Sequence, residues 1–154
     1  MSVKAIPDGY HAVTPYLTVR DGAAALDFYP RALDATVCFR MDGPDGKVGH
    51  AEIRIGGSVI MLSDEFPEMD VVSPQTLGGA ASSLLLYVEN VDALFAKAVA
   101  AGCTVVKPIA NQFYGDRSGT VKDPFGHRWT IATHVEDVAP EEMARRVAEF
   151  AEKA

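Results

Sequence analysis

Apolar and polar positions alternate over short runs, give way to a helical pattern, then alternate again, and this order occurs twice. Thr14–Asp21 (TPYLTVRD) places Pro15, Leu17 and Val19 on one face and Thr14, Tyr16 and Thr18 on the other, a strand running into a helix cap. Ser83–Asn90 (SLLLYVEN) reads the same way, 69 positions later (83 − 14). The same offset separates Gly57–Leu62 from Gly126–Ile131 (126 − 57). An offset kept across a whole module marks an internal repeat. Each repeat predicts a strand, a helix and three more strands.

Asp21 and Asn90 are good N-caps, because a short side-chain oxygen can accept from the free amides of the first turn. Leu26, Phe28, Tyr29 and Leu33 give the first helix its apolar side, and Pro30 is expected to kink or shorten it. Val91, Leu94, Phe95, Ala98 and Val99 give the second helix regular helical spacing, and Gly102 ends it. The predicted elements fall at 12–19, 22–33, 36–41, 47–55 and 58–63, then at 82–88, 91–101, 104–107, 117–122 and 127–133. The chain thus divides into a first βαβββ module (1–64), a Pro/Gly-bearing linker (65–80), a second module (81–135) and a C-terminal helix opened by Pro140 (136–154). The fold class is α+β, with two βαβββ modules forming a curved sheet that bears a cleft.

Turn chemistry sets the strand register. Gly56-Gly57 is a tight-turn signal that pairs Glu52 with Met61 and His50 with Ser63. Ala51, Ile53, Ile55, Ile60 and Leu62 then share the core face, and His50, Glu52, Arg54, Met61 and Ser63 the other. In the second module a turn at Asp123–Gly126 pairs Lys122 with His127, Gly119 with Thr130 and Arg117 with Ala132. The cleft is therefore expected to hold Thr14, Tyr16, His50, Glu52, Met61, Ser63, Ser83, Tyr87, Arg117 and Thr130. Arg117 suits a bidentate clamp on an anion, and Tyr16, Tyr87 and Phe113 suit stacking on a planar ligand.

Composition changes the picture modestly. The chain carries 21 acidic against 14 basic residues, a net charge of −7, which argues against nucleic-acid or anionic-membrane partners and weakly favours a cationic ligand. Cys38 and Cys103 lie in no metal-ligand or disulfide pattern and are expected to be buried, inert thiols. No stretch is apolar for long enough to span a bilayer, and the expected location is cytoplasmic. No phosphate-binding loop or nucleophile elbow is present.

The segments TPYLTVRDGAAALDFY, LLLYVENVDALFAKAVAAG and VKDPFGHRWTIAT resemble the vicinal-oxygen-chelate superfamily. That group includes glyoxalase I, extradiol dioxygenases and bleomycin-resistance proteins. GHAEIRIGGSVIMLSDE and YGDRSGTVKDPFGHRW resemble its PhnB-like branch. The resemblance implies that metal ligands, where present, come from the first and last strand of each module. Those columns hold Thr14, Met61, Ser83 and Thr130 here, three hydroxyls and a thioether, which are poor ligands for the divalent ions the relatives use. The resemblance therefore implies a metal-free protein that binds a small organic molecule, as a homodimer. The alternative is an enzyme. It would use a displaced metal site at His50, Glu52 and His134, or Glu52 as a general base with its pKa raised by partial burial, His50 as acid/base and Arg117 as anion stabiliser.

Overall fold

The structure, a computed structural model, describes residues 3–154. The first module runs β1 (Tyr16–Val19), α1 (Gly22–Leu33), β2 (Thr36–Asp42), β3 (Val48–Ile55) and β4 (Ser58–Asp64). The second runs β5 (Ser83–Tyr87), α3 (Val91–Ala101), β6 (Thr104–Asn111), β7 (Asp116–Lys122) and β8 (Arg128–His134). Between them lie a 3₁₀ turn at Pro67–Met69 and a short helix α2 (Pro74–Leu77), and α4 (Pro140–Lys153) closes the chain. Each module is one four-stranded sheet, ordered β1-β4-β3-β2 and β5-β8-β7-β6, with only the first-to-last strand pair parallel.

The predicted helix caps form: Asp21 accepts from the Ala24 amide and Asn90 from the Ala93 amide. The repeat also explains a pair of buried anchors. Asp64 accepts from the amides of Gly22 (2.8 Å) and Val48 (2.7 Å), tying the start of α1 to β3. Sixty-nine positions on (64 + 69 = 133), the Thr133 hydroxyl accepts from the Val91 amide at the start of α3 (2.9 Å) and donates to the Val88 carbonyl (2.8 Å). One carboxylate and one hydroxyl thus satisfy the same free helix amides.

Helix α1 has its expected bounds and is not shortened at Pro30, its last turn held by the burial of Ala32 and Leu33. Two strands depart from expectation. Strand β1 begins only at Tyr16, after Pro15. Strand β6 extends past Lys107 to Asn111, with its register slipping between Lys107 and Ala110 around Pro108, which has no amide to give and sits on an edge strand.

Helices α1 and α3 meet, and a single apolar cluster fills the helix-bearing faces of both sheets. At its centre Tyr29 of α1 stacks edge-on to Trp129 of β8, ring centroids 5.8 Å apart. Both reach the same buried carboxylate. Asp123 Oδ2 accepts from the Tyr29 hydroxyl (2.7 Å) and the Trp129 indole N–H (2.9 Å), while Oδ1 accepts from the amides of Phe125 (3.0 Å) and His127 (2.9 Å). Burial and the Asp123 charge push the Tyr29 phenol well above its ordinary pKa.

The same carboxylate corrects the second hairpin. By gathering the Phe125 and His127 amides it draws His127 into the turn, and the Asp123 amide donates to the His127 carbonyl (2.9 Å). Pairing resumes at Lys122 with Arg128, one residue later than the sequence suggested, so Gly119 pairs with Ile131 and Arg117 with Thr133. A one-residue slip exchanges the two faces of a strand. Arg117 and Gly119 therefore lie on the helix side of β7, and Ser118 and Thr120 on the open side. The first hairpin keeps its expected register, Glu52 opposite Met61 and Ile55 opposite Ser58.

Candidate functional site

The helix-free faces of both sheets are open to solvent. On the first, Tyr16 and Thr18 of β1, His50 and Glu52 of β3, and Met61 and Ser63 of β4 share one surface, as the pattern indicated. A hydrogen-bonded line crosses it. The Tyr10 hydroxyl donates to Glu52 Oε2, Glu52 Oε1 lies 3.3 Å from His50 Nε2, and His50 Nδ1 lies 2.8 Å from the Tyr16 hydroxyl. An ionised carboxylate only accepts, so it fixes the tautomer: Nε2 carries the proton, and Nδ1 accepts from Tyr16.

The Tyr10 hydrogen bond, reinforced by His50, holds the Glu52 carboxyl below the usual carboxylate range against the upward pull of burial. This corrects the expectation of a raised value. A depressed folded-state pKa contributes stability that is present above the ordinary carboxyl value of about 4.3 and lost as pH falls through the folded value. Tyr10→Phe is expected to bring the Glu52 carboxyl back up toward its ordinary value in a carboxyl-detected NMR titration. An unchanged titration would remove Tyr10 from the account.

Beside this line lies a pocket of about 700 Å³, floored by Tyr16, Thr18, Gly49 and Ser63 and walled by the linker residues Phe66, Val71 and Leu77. The linker is held over the sheet by Glu65. Its carboxylate accepts from the Ser73 amide and the Thr76 hydroxyl and faces Arg20 at 3.5 Å, and these donors, the Ser73 amide foremost, hold its pKa at about 2.

On the second sheet, Ser83, Tyr87 and Thr130 occupy the open face. The Thr130 and Thr120 hydroxyls bond to each other at 2.9 Å, and Tyr87 donates to Asp116 at 2.7 Å. Asp116 in turn meets His134 Nδ1 (2.8 Å), whose Nε2 meets Asp137 (2.9 Å), and these two carboxylates raise the His134 pKa. His134 is thus engaged on the second sheet and does not join His50 and Glu52. Thr14 precedes β1 and lines a separate apolar pocket with His11, Leu85 and Trp129. Arg117 faces away from the open surface. It forms a bidentate pair with Asp92 of α3 (2.8 and 2.7 Å) and reaches Asn111 (3.1 Å), so it braces that helix.

Among the described residues, no hydrogen bond links the Tyr10–Glu52–His50–Tyr16 line to Ser83, Tyr87 or Thr130. The helix-free faces of the two four-stranded sheets are thus not joined by a side-chain hydrogen bond, although Tyr16 and Arg128 line one pocket between the modules. Cys103 is buried, which pushes its thiol up to about 12, whereas Cys38 is exposed on edge strand β2, contrary to expectation. Sequence reasoning missed Tyr10, which lies in an irregular segment with no periodic signal. It placed Asp123 at the start of the second turn but did not foresee that its carboxylate is buried.

The relatives' metal does not fit these residues. The four columns supply hydroxyls and a thioether, the Thr130 hydroxyl is engaged by Thr120, and no group of three His, Cys, Asp or Glu side chains is placed to hold a metal ion among the described residues. A divalent ion needs four to six good donors.

Comparison with known proteins agrees with this geometry. The family model for the Glyoxalase/Bleomycin resistance protein/Dioxygenase superfamily matches residues 10–131. An uncharacterized protein of Mycobacterium tuberculosis, Rv0887c, is 44% identical over 135 residues, covering 86% of this chain and 79% of that one. TioX from Micromonospora sp. ML1 superposes with a TM-score of 0.64 at 22% identity, covering 84% of this chain and 100% of that one. An Arabidopsis thaliana gene product, AT5G48480, gives 0.65 at 27% identity over 80% of this chain and 98% of that one. A PhnB protein from Bacillus cereus gives 0.60 at 21% identity over 80% of this chain and 99% of that one. Sequence, strand order and paired βαβββ modules agree: the chain belongs to the glyoxalase/bleomycin resistance protein/dioxygenase superfamily.

Proposed function

We propose that this chain is a metal-free binder of a small organic molecule, working in the cytoplasm as a homodimer whose second copy covers the open sheet faces. The observation that carries this reading is the Tyr10–Glu52–His50–Tyr16 line flanking the pocket under the linker. An aromatic and apolar wall with a few oriented polar groups is what a small-molecule site requires. Tyr16 supplies both, since its ring is half exposed and its hydroxyl is aligned by His50. Phe39, Met41, Leu85 and Tyr87 also stand about half exposed, and large apolar side chains left in solvent mark surfaces that a partner covers. The enzymatic alternative with Glu52 as base is disfavoured by its lowered pKa and its two donors, both of which stabilise the unprotonated form.

The test is a ligand-observed NMR screen of a small-molecule library against protein kept in EDTA. Hits are expected with the wild type, weakened several-fold in His50→Gln, which removes the orientation of Tyr16. An absence of hits in chelator, with hits restored by added metal, would contradict the reading.

A further inference from the structure

We propose that the open face of the second sheet carries a receptor for an oxyanion, a carboxylate or phosphate group borne by the bound ligand. The inference rests on the small-molecule reading above and names the chemical class of that ligand.

A pocket of about 200 Å³ lies between residues 80–82 with Ser83 at the start of β5 on one side and Lys107 of β6, Thr120 of β7 and Arg128 and Thr130 of β8 on the other. Its walls include Lys107, Arg128 and the hydroxyl residues Ser82, Ser83, Thr120 and Thr130, and no carboxylate. In a chain with 21 acidic against 14 basic residues, this is a local reversal of sign. Of the eight arginines, Arg20, Arg31, Arg40, Arg117, Arg145 and Arg146 each meet a carboxylate, and Arg54 and Arg128 do not among the described residues. Arg128 is partly buried, and neither it nor Lys107 makes a side-chain hydrogen bond or ion pair among the described residues. Two cations sharing one small pocket without a counter-ion repel each other, and a bound anion relieves that cost.

The hydroxyls add donors. Of the Thr120–Thr130 pair, whichever oxygen accepts keeps its own proton free to turn into the pocket. Charge-assisted donors flanked by hydroxyls are the arrangement that holds carboxylate and phosphate oxygens. Arg128 also lines a neighbouring pocket of about 240 Å³ with Tyr16, Leu17 and Ser82, which puts the cationic pocket one pocket away from the Tyr16 end of the first site. A ligand that lays an apolar body against Tyr16 would present its anionic group to Arg128 and Lys107. The net charge of −7 repels anions at long range, so selection acts at contact.

The experiment is an amide NMR titration of the full chain with inorganic phosphate and, separately, with acetate, at constant ionic strength. Saturable shifts are expected at Ser83, Thr120, Arg128 and Thr130. Arg128→Gln should weaken binding about tenfold and Lys107→Gln, on an exposed edge strand, about threefold. Lys153→Gln should leave it unchanged. A response to phosphate alone assigns a phosphoryl group, and a response to acetate as well assigns a carboxylate. Shifts that fail to saturate, that spread over the surface lysines, or that persist unchanged in Arg128→Gln overturn the proposal. Library compounds that still perturb Tyr16 and His50 when neither anion binds would sink only this site, whereas loss of both responses would sink the small-molecule reading with it.

Discussion

Asp123→Asn is expected to destabilise the protein by about 2–4 kcal/mol, because one carboxylate satisfies four donors in the core. Its two oxygens accept from Tyr29, Trp129 and the amides of Phe125 and His127, and Asp123 itself is 3% exposed. Asparagine can accept at only one end. If its oxygen serves the turn amides, its own N–H group confronts the Trp129 indole, which can only donate. If it flips, the turn loses its organiser. Either way a buried donor is left without a partner. For a chain of this size the melting temperature should fall by about 5–12 °C. The cooperative slope of urea unfolding should stay unchanged. Tyr29→Phe removes one donor and leaves the others satisfied, so it should cost only about 1 kcal/mol. Equal losses in the two variants would mean that the carboxylate does not organise this network.

Gly119→Ala is the second large effect, about 1–3 kcal/mol through overpacking. A methyl group there would stand 2.6 Å from Phe95 Cε2 and 3.0 Å from Ile109 Cγ1. The glycine lets β7 pass close beneath α3 and β6. This variant also decides the register of the second hairpin. In the register suggested by the turn residues, Gly119 faces open solvent and alanine is harmless. A denaturation midpoint unchanged in Gly119→Ala would restore that register, and with it Arg117 to the open face.

These two residues also show where the sequence was legible. The repeat, the helix caps and the first hairpin could be read because Gly-Gly permits one short turn and each core residue of β3 and β4 alternates cleanly. Tyr16, His50, Glu52, Met61 and Ser63 therefore fell on the correct face together. The second hairpin failed because the side chain of Asp123 competes with the backbone for the turn amides, and no periodic pattern encodes that competition. The slip by one residue carried Arg117 from the candidate site to a brace on Asp92 and hid Thr120, the true neighbour of Thr130. The cationic pocket was invisible for a related reason. Lys107 and Arg128 lie on different strands whose neighbourhood depends on the β6 irregularity at Pro108 and on the corrected β7–β8 pairing. Net charge, read from composition, averages over the surface and cannot report a pocket whose walls carry Lys107 and Arg128 and no carboxylate.

The central claim is that the open faces of this chain hold their ligand with its own side chains and no ion. Calorimetric titration of chelator-treated protein with nickel, zinc and manganese tests it most directly. No saturable heat is expected at metal concentrations up to about 100 µM, well above the micromolar dissociation constants of a built site. Stoichiometric uptake of any one of these ions, abolished by Glu52→Gln or His50→Gln, would contradict it.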